Sequence, residues 1–177
     1  MSQPRNVQLG IQQGSILGPQ LFSLYVNDLP SSVKNGRVMM YADDTMILYS
    51  ATSGTEIQSR LNEDLHNVSH WLKENRLVLN TSKTKYMIIG TSQRLANVEP
   101  VELQVDNTRL ERVTFFKYLG VFLDQSLVWN DHLEYISKKI GSKISLLRRL
   151  RPFLSEHCSK LLANSLIMPH FDYCSPV

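Results

Sequence analysis

Two adjacent carboxylates, Asp43 and Asp44, are the residues of this sequence best suited to chemistry. They stand between two apolar, β-prone runs, Val38–Tyr41 and Thr45–Tyr49. Such flanks predict a β-hairpin with both acids at or next to its tip. Carboxylates about 4 Å apart repel by about 4 kcal/mol at an effective dielectric of 20, a cost that a divalent cation removes. Because Mg²⁺ is usually held by one or two carboxylates plus substrate phosphates, the pair indicates a metal site for phosphate chemistry; an acidic surface turn is the structural alternative.

A glycine-rich loop precedes this hairpin, with Gly10, Gly14 and Gly18 four residues apart. Gly18-Pro19 predicts the start of a helix, since proline favours the first helical turn. The apolar side of that helix is Leu21, Leu24, Tyr25 and Val26. A loop that opens a helix can present backbone N–H groups to phosphate. It lacks the Gly-Lys-Ser/Thr of a Walker loop, and a plain connection is the alternative.

Two long amphipathic helices are predicted. The first begins at Ser53-Gly54-Thr55, and its apolar residues recur three or four apart: Ile57, Leu61, Leu65, Val68 and Trp71 or Leu72. His66 and His70 are interpreted as surface residues of this helix. The second runs from about Asn130 to Leu150, with Pro152 beyond its end, and its apolar stripe is Leu133, Ile136, Ile140, Ile144 and Leu147.

Six basic side chains lie along the second helix and just beyond its end, with no acid between Glu134 and the last of them: Lys138, Lys139, Lys143, Arg148, Arg149 and Arg151. Such a basic, amphipathic helix indicates contact with a polyanion. A solvated basic face is the alternative. A last helix is predicted near Ser155 to Met168.

Short β segments lie between the two long helices. Tyr86–Ile89 predicts a strand, with Lys83 and Lys85 in the loop before it. Val101, Leu103 and Val105 alternate, and Asp106-Asn107 predicts a turn. A further β run extends from Val113 to Leu123 and is interrupted by Gly120, which predicts a bend or bulge.

The composition fits one domain, or a domain with a small appendage. The chain has 177 residues, is 42% hydrophobic and 20% charged, and has a net charge of +3. Cys158 and Cys174 make no disulfide framework. No apolar run approaches the roughly 20 residues of a membrane span, and Met1–Asn6 lacks the apolar core of a secretory signal. The expectation is a soluble intracellular protein with no membrane partner.

Four segments in this order resemble the reverse transcriptases of non-LTR retrotransposons, the LINE-type, jockey-like elements. They are Gly10–Pro19, Tyr41–Asp44, Leu79–Lys85 and Phe116–Val121. The similarity continues through Trp129–His132 and Leu147–Leu150 to Pro169–Val177, and so covers nearly the whole chain. One such segment is moderately specific, whereas four in the right order are highly specific.

The resemblance implies a role for each segment. Asp43 and Asp44 match the metal-binding acids of the polymerase palm, and Lys83 matches a palm lysine that assists the leaving pyrophosphate. Gln13, Gly14 and Ser15 match the nucleotide- and template-binding motif. Tyr118, Leu119 and Gly120 match the primer grip. The six basic residues named above would follow the nucleic-acid backbone. The implied cofactor is Mg²⁺, or Mn²⁺ in its place, and the implied partners are an RNA template, a DNA primer and deoxynucleotides.

Two features depart from the family. Gln12 and Gln20 stand where proline and an apolar residue are usual. The first palm motif, with the third metal-binding aspartate, and the fingers are absent from these 177 residues. The expectation is therefore a fragment of a longer polymerase: the missing fingers and palm segment would belong to the parent chain, and the isolated chain would be inactive.

The predicted fold is α+β: a partial palm at residues 1–125, an antiparallel sheet with packed helices, followed by a helical thumb fragment at residues 126–177. The predicted function is RNA-directed DNA synthesis by two-metal nucleotidyl transfer in the intact parent. The alternative is a catalytically dead remnant that at most binds nucleic acid without specificity. Another Mg²⁺-dependent phosphotransferase is less consistent with the ordered segments. The resemblance implies a nuclear or cytoplasmic location.

Overall fold

A computed structural model describes residues 14–174 of the chain. These residues form two compact units, one of residues 14–86 and 98–111, the other of residues 87–97 and 112–174. Both combine helices with small antiparallel sheets, as the α+β prediction requires. Residues 87–97 and 112–125 group with the helices that follow them, and the division into a palm at 1–125 and a thumb at 126–177 stays a prediction. No helix among residues 14–174 combines the length and the apolar character needed to cross a membrane.

The first unit opens with the predicted short helix. This helix, α1 (Gly18–Tyr25), has Pro19 in its first turn and is followed by a 3₁₀ turn at Leu29–Ser32. Of its predicted apolar side only Val26, the residue that caps the helix, is buried, whereas Leu21, Leu24 and Tyr25 are exposed. The predicted helix is therefore confirmed, but its apolar side is largely uncovered.

A hairpin and a long helix follow. Strands β1 (Arg37–Tyr41) and β2 (Asp44–Leu48) pair in antiparallel register, and α2 extends over Gly54–Glu74. The start of α2 after Ser53 is as predicted, and its predicted apolar positions are all buried or half-buried. Since those positions define one face, α2 packs with the expected stripe inward.

Short elements follow α2 along the chain. They include β3 (Lys85–Tyr86), α3 (Ser92–Asn97, in the second unit), β4 (Gln104–Val105), β5 (Thr108–Arg109) and β6 (Glu111–Arg112). The predicted strand Tyr86–Ile89 is wrong beyond Tyr86, because its partner β6 has only two residues to pair with. The alternating residues Val101, Leu103 and Val105 are buried as expected.

The Asp106-Asn107 turn is confirmed. Both residues have positive φ, 47° and 64°, between the paired residues Val105 and Thr108. This is the backbone that a two-residue hairpin turn requires, and Asn and Asp tolerate it better than most residues.

The second unit is built on another hairpin. Strands β7 (Phe115–Tyr118) and β8 (Val121–Asp124) are antiparallel, so the predicted run Val113–Leu123 is two strands rather than one bent strand. Leu119 and Gly120, with φ of 45° and 88°, form the turn. The chain therefore reverses direction at Gly120 instead of bending there. Glycine suits this position, because the turn needs a second consecutive residue with positive φ.

Helices make up the remainder of this unit. The predicted helix from Asn130 to Leu150 is confirmed with those bounds as α4. Pro152 lies in a 3₁₀ turn, Arg151–Phe153. The predicted last helix is confirmed as α5 (Glu156–Leu166), and a short helix that was not predicted, α6 (Met168–Asp172), follows it. The hydroxyl of Ser155 caps α5 by accepting the Cys158 N–H at 3.2 Å.

Candidate functional site

The paired carboxylates lie at the tip of the β1–β2 hairpin, as predicted. Tyr41 pairs with Asp44, so Ala42 and Asp43 form a two-residue turn and Asp44 opens β2. Ala42 has φ 52°, which is uncommon for a residue with a Cβ atom. Backbone strain of this kind concentrates at functional sites, where the surrounding structure maintains it.

Both carboxylates are exposed. Neither takes part in a hydrogen bond or an ion pair with the described part of the chain, residues 14–174. Adjacent residues on a strand point to opposite faces, so the two acids need not contact the same ligand atom. The tip therefore presents two unneutralised carboxylates to solvent, which is a donor set suited to a divalent cation.

A buried carboxylate anchors the base of this hairpin. Asp64 of α2 is fully buried, and its Oδ1 accepts the Lys34 N–H at 2.9 Å and the Asn35 N–H at 3.1 Å. Its Oδ2 accepts the Gly36 N–H at 2.7 Å, one residue before β1 begins. Three successive backbone donors thus converge on one side chain, which fixes the chain where it enters the hairpin.

The sequence analysis did not find Asp64. The sequence does indicate that Asp64 is buried, since it lies three residues after Leu61 and four before Val68, on the stripe that α2 buries. A charged residue at such a position needs internal partners, because burying an unpaired charge is costly. Those partners come from a segment about 30 residues away, and no local pattern identifies it.

The residues of the predicted nucleotide- and template-binding motif are only partly described. Gln13 lies outside the described residues. Gly14 has φ 83° and space around its Cα, and the hydroxyl of Ser15 accepts the Gly18 N–H at 3.0 Å. Ser15 therefore orders the start of α1. The roles of these three residues in nucleotide binding stay predictions.

Lys83 lies in the turn between Asn80 and β3. Its backbone N–H donates to the Asn80 carbonyl at 3.1 Å, and its side chain is exposed. Neighbouring Lys85 is ion-paired with Glu111. Of the two lysines, Lys83 is thus the one left accessible to a ligand, although no ion pair joins it to Asp43 or Asp44.

The predicted primer grip is the tip of the β7–β8 hairpin. Tyr118 pairs with Val121, and Leu119 and Gly120 are the turn between them. Tyr173, just after α6, donates its hydroxyl to the Leu119 carbonyl at 2.5 Å, and its ring lies against Gly120. The tip is therefore supported from one side by the residue that follows α6.

The six predicted backbone-contacting residues differ in their surroundings. Arg148, Arg149 and Arg151 are exposed, and Lys138 is ion-paired with Glu134 one turn earlier at 2.5 Å. The ammonium of Lys143 instead donates to the Leu166 carbonyl at 2.9 Å. Lys143 therefore joins α4 to α5 rather than standing free in solvent.

The Lys143 ammonium also lies 2.5 Å from Nε2 of His170. Burial, and then the charge of Lys143, lowers the pKa of His170. The position of Lys143 explains this contact, because it is seven residues after Ile136 and four before Leu147, both in the apolar stripe. Counting the basic residues along α4 did not predict that Lys143 faces another element. The helical period indicates it, because it places Lys143 on the apolar stripe of α4.

Asp124 connects β8 to α4. Its carboxylate accepts backbone N–H groups from Ser126 at 2.8 Å, Val128 at 3.3 Å and Trp129 at 3.0 Å. Burial acts to raise the pKa of Asp124, but these hydrogen bonds outweigh it and leave the pKa lowered. They hold the tight connection in which Leu127 and Trp129 have positive φ.

This arrangement predicts a pH-dependent stability. A carboxyl whose pKa is lowered on folding stabilises the folded state above its unfolded pKa of about 3.9 and loses that contribution as pH falls through the folded value. The free energy of unfolding of the second unit, measured by urea titration with Trp129 fluorescence, should therefore fall less between neutral and acid pH in Asp124→Asn than in the parent. Asp131→Asn, which removes an exposed acid nearby, should leave the parent profile unchanged. Equal pH profiles for Asp124→Asn and the parent would contradict this account.

Residues 14–174 bring together no group of three or more His, Cys, Asp or Glu side chains that could hold a metal ion. The tip itself offers two carboxylates to a cation, Asp43 and Asp44. That number agrees with the one or two carboxylates by which Mg²⁺ is usually bound when phosphates supply further oxygens.

A family model described as reverse transcriptase (RNA-dependent DNA polymerase) matches residues 1–123. The chain is 31% identical over 156 residues to the probable RNA-directed DNA polymerase from transposon BS of Drosophila melanogaster, an alignment that covers 83% of this chain and 17% of that protein. It is 28% identical over 178 residues to the RNA-directed DNA polymerase from mobile element jockey of the same species, an alignment that covers 94% of this chain and 19% of that protein.

A third relative is the retrovirus-related Pol polyprotein from type-1 retrotransposable element R1 2 of Nasonia vitripennis. It is 27% identical over 175 residues, covering 94% of this chain and 42% of that protein. The chain thus spans less than half the length of each of these three relatives. No solved structure matches it.

Proposed function

Because the chain belongs to the reverse transcriptase (RNA-dependent DNA polymerase) family, we propose that it is part of the nucleotidyl-transfer centre of a non-LTR retrotransposon polymerase. The observation that carries this proposal is the β1–β2 hairpin, whose tip exposes Asp43 in the turn and Asp44 at the start of β2. A reverse transcriptase acts on a primed template with deoxynucleotides, so the proposed partners are an RNA template, a DNA primer and deoxynucleotides.

Asp43 and Asp44 are the residues proposed to hold the metal. When bound, Mg²⁺ activates the primer 3′-hydroxyl and steadies the leaving phosphates. The protein residues orient the metal ligands: the hairpin tip positions the two carboxylates, and Asp64 of α2 holds the chain where it enters the hairpin. The exposed ammonium of Lys83 is proposed to neutralise charge on the leaving pyrophosphate.

The remaining predicted residues are proposed to hold nucleic acid. Gln13, Gly14 and Ser15 would line the nucleotide and template, and Tyr118, Leu119 and Gly120 would support the primer end. In this proposal residues 1–125 contribute to the palm and residues 126–177 to the thumb. The exposed Arg148, Arg149 and Arg151 suit backbone contacts, because arginine binds phosphate with two donors at once.

Metal binding at the hairpin provides the direct test. Titration of the chain with Mn²⁺, followed by the loss of the free-ion electron paramagnetic resonance signal, should show a site that Mg²⁺ displaces. Asp43→Asn combined with Asp44→Asn should weaken it by at least about tenfold, since both charged ligands are lost, and tenfold corresponds to about 1.4 kcal/mol.

Asp131→Asn is the matched control, because it also removes an exposed carboxylate but lies in the first turn of α4. It should retain the affinity of the parent. Equal Mn²⁺ binding by the parent and the double variant would remove the metal role from the hairpin.

A further inference from the structure

Three side chains of the second unit converge on one point. Lys139 is one of the six basic residues predicted to contact the nucleic-acid backbone, whereas Lys117 and Tyr135 belong to no predicted site. The ammonium groups of Lys117 on β7 and Lys139 on α4 each lie 3.4 Å from the phenolic oxygen of Tyr135. The two charges are therefore at most about 7 Å apart, close enough to repel each other appreciably. Two ammonium groups that converge on one oxygen can also converge on one bound anion, so this is the geometry of an anion site.

Packing of α4 on the β7–β8 hairpin produces this convergence. Lys117 is the cross-strand partner of Phe122, and the Phe122 ring lies 5.1 Å from the Tyr135 ring at 60°. The Phe122 N–H donates to Nδ1 of His132, one turn before Tyr135, at 3.3 Å. Strand and helix are thus joined by both a ring contact and a hydrogen bond.

The two aromatic rings hold the lysines in place. The Lys117 ammonium lies 5.5 Å from the centre of the Phe122 ring and 4.8 Å from that of Tyr135. The Lys139 ammonium lies 5.4 Å from the Tyr135 ring centre. Cation–π attraction at these distances orients lysines that would otherwise be mobile, so part of the entropy cost of gathering them is already met on folding.

No carboxylate neutralises this cluster. Among residues 14–174, neither Lys117 nor Lys139 forms an ion pair, whereas Lys138 and Lys160 each pair with a glutamate one turn away. Hydrogen bonding to Lys139, and then to Lys117, lowers the pKa of Tyr135. The site is therefore positive, exposed and without an internal counterion.

We propose that Lys117, Tyr135 and Lys139 bind one phosphate group of a nucleic-acid backbone. Charged hydrogen bonds of about 2.8 Å from the two ammonium groups to the two free oxygens of a phosphodiester span a gap of this size. The Tyr135 hydroxyl can then donate to the phosphate. The inference extends the proposed function and rests on it for the source of the phosphate. It adds an anchor distinct from the turn at Leu119 and Gly120.

The test compares the chain with Lys117→Gln plus Lys139→Gln, with Tyr135→Phe, and with Lys160→Gln. A fluorescently labelled RNA–DNA hybrid is followed by anisotropy from about 50 to about 200 mM salt. The double variant should bind at least about tenfold more weakly, with a log–log salt slope shallower by about 1 unit, because one phosphate contact is lost. Tyr135→Phe should bind more weakly with an unchanged slope, because it removes a hydrogen-bond donor and no charge. Lys160→Gln, which removes a paired lysine of α5, should match the parent.

Inorganic phosphate is the second probe, read from the amide signals of Lys117 and Lys139 in a nuclear magnetic resonance titration. The amide signals at positions 117 and 139 should shift in the parent and should not shift in the double variant, where both residues are glutamine. Phosphate binding without hybrid binding would retain the phosphate site and refute the nucleic-acid function, so the two failures are distinguishable. The inference is overturned if the double variant equals the parent with both probes.

Discussion

Primer extension on a primed RNA template is expected to yield no product above background when the 177-residue chain is supplied alone with Mg²⁺ and deoxynucleotides. Two-metal transfer needs carboxylates that bridge both ions between the primer hydroxyl and the triphosphate. The hairpin tip supplies Asp43 and Asp44 from adjacent positions, and residues 14–174 gather no third acidic, cysteine or histidine ligand around them. Losing a metal from such a centre forfeits several kcal/mol, or about 10³-fold in rate or more.

The assay is sharpest with two variants run in parallel. Asp43→Asn should be indistinguishable from the parent, because neither protein is expected to extend the primer. Asp131→Asn, an exposed acid of α4, controls for general loss of charge. Product that forms with the parent and Asp131→Asn but disappears with Asp43→Asn would show that the chain is sufficient for catalysis, and the prediction would be wrong.

Replacing Asp64 by alanine is expected to destabilise the first unit by about 3 kcal/mol or more. The substitution leaves the backbone N–H groups of Lys34, Asn35 and Gly36 without their acceptor. Each unsatisfied buried donor costs about 1–3 kcal/mol, and the costs are not additive. Because these residues lead into β1, the loss should also loosen the turn that carries Asp43 and Asp44.

Urea denaturation followed through Trp71 fluorescence measures the change, since Trp71 lies on α2 in the same unit. Glu63→Ala is the matched control. It removes the neighbouring, exposed acid, whose contacts with Lys34 and Arg60 are 4.0 and 3.8 Å long, and should cost less than about 1 kcal/mol. If both alanine variants cost the same, Asp64 does not anchor the hairpin.

Gly36→Ala tests the same anchor from the other side. A Cβ atom there would lie 2.6 Å from Ile47 Cγ2, 3.1 Å from the Leu48 carbonyl and 3.3 Å from Asp64 Oδ2. The hairpin and Asp64 would both have to move. The variant should therefore be destabilised in the same assay.

Several local features of this protein were determined by its sequence. The apolar runs around Asp43 and Asp44 specified the hairpin and its turn, because a strand needs only an alternating pattern and a turn signal within a few residues. The helical period specified the buried face of α2, and Pro152 followed the end of α4 at Leu150. The family could likewise be recognised from four ordered segments, since these are local as well.

The tertiary structure alone decided which distant side chains meet. Asp64 satisfies donors about 30 residues away, Lys143 turns to α5, and Lys117 meets Tyr135 because α4 packs on β8. The sequence shows that α4 is basic and that Lys143 shares the period of its apolar stripe, but it does not show which group each ammonium meets. Whether a lysine faces solvent, a carbonyl or another cation depends on which element covers its helix face, and that depends on packing between segments far apart in the chain.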